Sequence, residues 1–112
     1  DAIGQHPNVI ESAVVGFPHD IKGEAIYAYV ILAKEDDNED MRTQIIKEVN
    51  KHIGSIAKPD KVQFVVGLPK TRSGKIMRRI LRKIAAKDFS NFGDTSTLLD
   101  PSIVDSIKSG VL

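Results

Sequence analysis

Residues 8–33 read NVIESAVVGFPHDIKGEAIYAYVILA, and this stretch decides the architecture. Residues 8–16 and 24–33 are rich in Val, Ile and Tyr and flank the turn-forming FPHDIKG, the pattern of two strands in an antiparallel pair. The second run carries no charge between Ala25 and Ala33. Both of its faces therefore need cover, which predicts a central strand.

Downstream, the acidic KEDDNED leads into a predicted helix with Met41, Ile45, Ile46, Val49 and Ile53 on one stripe and Gly54 as its stop. The acidic start suits the helix dipole. After Lys58-Pro59-Asp60, KVQFVVGLP reads as a third strand ended by Pro69, and Ile76, Met77, Ile80, Leu81 and Ile84 then recur at helical spacing. Upstream, DAIGQHP reads as the tail of a helix whose beginning is left out. With Asp1 rather than Met in first place, the chain is expected to be a piece of a longer protein. The sum is an α+β fold, a small antiparallel-dominated sheet of about three strands with helices packed against it. Residues 1–87 are expected to form the domain core and residues 88–112 a tail lying along the surface, with a short helix from Ser102 to Ser109.

At 112 residues, 41% hydrophobic and 28% charged, the chain suits one ordinary soluble domain. No apolar run approaches the length of a membrane span, and the start lacks the basic region and cleavage pattern of a signal peptide, so no membrane partner is expected. The absence of cysteine excludes disulfides and thiolate chemistry and fits a reducing, cytoplasmic setting. His6, His19 and His52 are too scattered for a side-chain metal site, and no Ser or Thr stands in a triad context. A Walker-type phosphate loop also fails. Six residues separate Gly67 from Gly74, and Lys75 is followed by Ile76.

The segment LPKTRSGKIMRRILRKIAAK, residues 68–87, holds eight of the sixteen Lys and Arg residues and no acidic one. These cations suit the solvated face of an amphipathic helix. A module binding nucleic acid or an acidic partner is the alternative, although the segment has no interleaved aromatic residue for stacking on bases and the net charge of the chain is only +1. If Ser73 caps the helix, Gly74 sits first and Lys75 falls in the first turn, where the dipole disfavours a cation by roughly 0.3–1 kcal/mol. Both choices are poor for helix stability. They mark Lys75 as placed for function, an ammonium presented to an anion held elsewhere.

PKTRSGKIMRR resembles the last core motif of the adenylate-forming enzymes, the superfamily of acyl- and aryl-CoA synthetases, peptide-synthetase adenylation domains and luciferases. AVVGFPHDIKGEAIYAYVIL looks like the strand-turn-strand of their small C-terminal domain, and SGKIMRRILRKIAA followed by GDTSTLLDPSIV looks most like the acetyl-CoA synthetases. The resemblance implies a two-step ligase that activates acetate with Mg·ATP to acetyl-AMP and then transfers the acetyl group to CoA. Its partners are the chain's own large N-terminal domain, acetate, ATP and CoA. Lys75 matches the adenylation lysine, which in the family is switched off by acetylation; a protein acetyltransferase and a deacetylase are further implied partners. Backbone carbonyls of Gly4, His6 and Val9 match an assigned magnesium site. Asn50, with Lys51 beside it, stands where relatives place an arginine on the CoA phosphate, a departure that Lys51 or Lys47 can offset as a point charge. The acyl pocket belongs to the large domain, so a propionyl-CoA or other short-chain acyl-CoA synthetase matches the same residues. The fragment alone is expected to be inactive.

Overall fold

The computed structural model describes residues 9–19, 23–33, 37–53, 60–89, 92 and 96–112; of His19 and residues 48–53 it describes the backbone alone. The helix expected ahead of the first strand and the Gly54 stop lie outside the described residues. β1 (Val9–His19) and β2 (Gly23–Leu32) form the expected antiparallel hairpin, α1 (Glu39–Ile53) follows, and β3 (Lys61–Phe64) pairs parallel to β2. A parallel pair needs a crossover of a dozen or more residues, and α1 supplies it. The sheet order β1-β2-β3 puts the uncharged strand in the centre. β1 runs on to His19, so Phe17 and Pro18 belong to the strand rather than to the turn. β3 is shorter than expected, ending at Phe64 and leaving Val66 exposed.

Alternation along β2 divides the interior in two. Tyr27 and Tyr29 face Ala13, Val15 and Phe17 of β1 and, from α2 (Arg78–Ala85), Ile80, Leu81 and Ile84. Ala28, Val30 and Leu32 face the other way, onto Ile45 of α1. Each fully buried aliphatic side chain of this kind contributes about 1.5–3 kcal/mol of hydrophobic stabilisation. A register shift between Val9 and Glu11 inserts one residue into β1 and reverses its parity. Val9 therefore joins the α1 side, whereas Ala13, Val15 and Phe17 join the α2 side.

The buried polar groups are satisfied. The Tyr29 hydroxyl donates to the Leu81 carbonyl at 2.8 Å, tying β2 to α2. The Tyr27 hydroxyl donates to Gln63 Oε1 and accepts the Leu112 N–H at 3.1 Å. Gln63 Nε2 in turn donates to the Ile107 carbonyl at 3.0 Å. Among the described residues no buried side-chain N or O lacks a partner.

The segment from Asp88 contributes residues to the core as well as to the surface. Its helix α3 (Ser102–Ser109) has the expected bounds, but Val104 and Ile107 are buried, and Leu98 joins them in the α2-side core. The physical reason is cover: α2 has only eight residues, and the apolar face of α3 shields sheet surface that α2 leaves open.

Candidate catalytic hairpin

Lys75 does not stand in a helix. α2 begins at Arg78 with Met77 at its cap and no side-chain cap bond, so Ser73 is not the N-cap and the expected conflict between Lys75 and the helix dipole is absent. Instead, Lys70 and Ile76 pair antiparallel across a tight turn. The Gly74 N–H donates to the Thr71 carbonyl and the Thr71 N–H to the Lys75 carbonyl, both at 2.9 Å. Gly74 has φ +90°, and a Cβ built there meets nothing within 4 Å. Glycine is required for the left-handed backbone of this short hairpin loop, not for space.

Four further contacts stiffen the loop. The Met77 N–H donates to the carbonyl of Pro69 at 2.8 Å, closing the hairpin base over a buried proline. Thr71 also pairs with Leu98, and the Leu99 N–H donates to the Lys70 carbonyl at 2.9 Å, so the tail adds a third rail. The Lys70 ammonium lies 2.7 Å from Glu11 Oε1, which anchors the hairpin to β1.

The lysine at the far side is different. Lys75 is exposed, and its ammonium has no ion pair or hydrogen bond among the described residues. It borders an open depression of about 430 Å³ lined by Thr71, Arg72, Ser73, Lys75, Ser96 and Thr97, two cations and four hydroxyls with no carboxylate among the described residues. Such a lining suits an anion with several oxygens.

The other expected site residues lie elsewhere. Asn50 and Lys51 occupy the last turn of α1, with side chains outside the described residues. α1 packs on the sheet face opposite α2 and returns the chain toward the Lys61 end, whereas Lys70 and its hairpin are tied to Glu11, beside Ile31 near the other end. The helix that carries Asn50 and Lys51 therefore lies across the sheet from α2, the helix that follows the Lys75 hairpin. Gly4 and His6 lie outside the described residues, and Val9 heads β1, paired with Leu32. Among the described residues no three His, Asp or Glu side chains gather to hold a metal.

Two contributors escaped the sequence reading, Thr71 and the Leu98–Leu99 rail. The Ser73-Gly74 pair was the available signal for the turn. Nothing in TSTLLDP marks a strand against the hairpin.

This fold and hairpin define a class. The profile of the AMP-binding enzyme C-terminal domain matches residues 1–75, and the chain belongs to that family. Over 107 residues it is 64% identical to the acetyl-coenzyme A synthetase of Mesorhizobium japonicum and 63% identical to that of Parvibaculum lavamentivorans. Each match covers 95% of this chain but only 16% of the relative. The chain therefore spans about a sixth of the length of the curated relatives it matches. Among solved structures it is similar to the Brucella canis acyl-CoA synthetase, with TM-score 0.64 and 41% identity over 73% of this chain and 15% of that one. It is also similar to ATP-bound MatB from Rhodopseudomonas palustris, with TM-score 0.68 and 29% identity over 80% of this chain and 17% of that one.

Proposed function

We propose that the chain is the mobile small domain of an AMP-forming acetate–CoA ligase, closing over a larger domain that holds the nucleotide and the acyl group. In the first half-reaction an acetate oxygen attacks the α-phosphorus of ATP, and the bond to the bridging oxygen breaks to release pyrophosphate. In the second, the sulfur of CoA attacks the acetyl carbon of acetyl-AMP, losing its proton as AMP leaves.

The first step brings two anions together. Negative charge builds between the carboxylate oxygen and the α-phosphate, so a cation placed there favours the transition state over the separated reactants. Lys75 suits this task because its ammonium is compact and carried on a long stem above a stiff hairpin. The helix that carries Asn50 and Lys51 packs on the sheet face opposite α2, so a rotation of the whole domain brings α1 to where the hairpin stood. That arrangement supports a lid serving the two steps in turn, with Lys51 or Lys47 toward the CoA phosphate. Magnesium enters as the companion of the nucleotide, with the backbone carbonyls of Gly4, His6 and Val9 the positions that would hold it on this chain. Acetylation of Lys75 cancels its charge and so disables the first step, with a deacetylase restoring it. The cysteine-free composition suits a reducing cytoplasm.

The observation that carries this reading is an exposed Lys75 on a tight turn, its ammonium without a partner among the described residues, in a chain 64% identical to an acetyl-coenzyme A synthetase. The test is Lys75→Ala in the full-length ligase, with each half-reaction assayed alone. Acetate-dependent ATP–pyrophosphate exchange falls by at least about a hundredfold, the scale of losing one electrostatic stabiliser, while thioester formation from supplied acetyl-AMP persists. Equal loss of both half-reactions contradicts the assignment.

A further inference from the structure

Thr71 holds both backbone groups of Lys75. Its N–H donates to the Lys75 carbonyl at 2.9 Å, and its hydroxyl oxygen accepts the Lys75 N–H at 3.2 Å. The same hydroxyl shares a hydrogen bond with Ser73 Oγ at 2.8 Å. Any residue but proline at position 71 can close the hairpin through its backbone, but an apolar side chain there offers no acceptor to the Lys75 N–H. That contact matters because it holds the peptide that leads into Lys75: Gly74 has φ +90°, and among the described residues nothing lies within 4 Å of a Cβ built there, so this hydrogen bond adds to the flanking backbone bonds in resisting rotation of that peptide.

Thr71 is itself fixed from outside. Leu98 pairs with it, the Leu99 N–H bonds the Lys70 carbonyl, and the tail is locked to the core through Ile107 and Gln63. Ile103 packs so closely on Gly67 that a Cβ there meets its Cδ1 at 2.9 Å. All of these tail residues lie beyond residues 1–75, the part that the family profile matches.

We propose that Thr71 is a positioning residue for the adenylation step, its hydroxyl aiming Lys75 from a hairpin braced by the Leu98–Leu99 strand of the tail. This rests on the reading of Lys75 given above. It predicts an effect on turnover of one half-reaction rather than on substrate affinity, because a displaced ammonium alters the transition state and leaves the binding surfaces in place.

The test compares Thr71→Val, Thr71→Ser and Lys75→Ala in the full-length ligase. For Thr71→Val, kcat of acetate-dependent ATP–pyrophosphate exchange falls about tenfold, with KM for acetate and ATP within about twofold. Thioester formation from supplied acetyl-AMP is unchanged, and Thr71→Ser restores most of the exchange. The proposal is overturned if Thr71→Val exchanges at the wild-type kcat, if Thr71→Ser is as impaired as Thr71→Val, or if both half-reactions fall together. Loss of exchange in Lys75→Ala with none in Thr71→Val defeats the positioning role alone. Full exchange in Lys75→Ala defeats the Lys75 reading and the positioning role with it.

Discussion

Lys70 Nζ sits 2.7 Å from Glu11 Oε1, whereas the ammonium of Lys75, five positions on in the same hairpin, has no partner among the described residues. One lysine anchors the loop and the other is held out from it. Both partners of the pair are about a third exposed, so solvent screens it, and Lys70→Gln is expected to cost no more than about 1 kcal/mol. The urea midpoint of the chain measures this, and the loss shrinks at high salt.

Gly74 is predicted to be sensitive to side chains through its backbone alone. With φ +90° and empty space around it, Gly74→Ala costs about 1–2 kcal/mol of hairpin strain without any clash. Gly74→Asn costs less, because asparagine tolerates left-handed backbone. Thermal unfolding of the two variants ranks them, and equal midpoints contradict the argument.

The end of α2 offers a stabilising change. The Lys87 N–H donates to the Ile84 carbonyl and the Asp88 N–H to the Lys83 carbonyl, both at 2.9 Å, with Lys87 at φ +58°. This is the helix ending that favours glycine at the left-handed position. Lys87→Gly is expected to raise stability by about 0.5–1 kcal/mol, the left-handed strain relieved less the added freedom of the unfolded chain. A lowered unfolding midpoint contradicts it.

Burial pushes the phenols of Tyr27 and Tyr29 above the ordinary tyrosine range, for Tyr29 with a smaller contribution from Tyr27. Because the folded values lie above the unfolded ones, the stabilisation is fully present below about pH 10 and is lost as pH rises beyond it. Urea midpoints of the chain should therefore fall between neutral pH and pH of about 11, and fall less in Tyr29→Phe, which removes one buried phenol. An unchanged slope in Tyr29→Phe contradicts the assignment.

The parts legible in the sequence are those that burial writes over many residues. Ala25–Ala33 has no charge because β2 is covered on both faces, and Met41 and Ile45 of the α1 stripe pack with Ala28, Val30 and Leu32. Less legible are features set by one residue or by a distant partner. Ser73-Gly74 reads equally as a helix cap and as a turn, and the choice is made by the pairing of Lys70 with Ile76 and of Thr71 with Leu98. The parity change at Ile10 leaves no trace in composition. Leu98 and Leu99 look alike in sequence, yet one is buried in the core and the other is exposed. Lys75 was legible as a residue out of place for a helix, although the true reason is that it belongs to a hairpin.

The most direct measurement of the central claim is a crystal structure of the full-length ligase trapped with an alkyl-AMP mimic of acetyl-AMP. The account predicts Lys75 Nζ at about 3 Å from an oxygen of the adenylate, within hydrogen-bonding reach. An ammonium pointing to solvent, away from the ligand in the closed first-step arrangement, contradicts it.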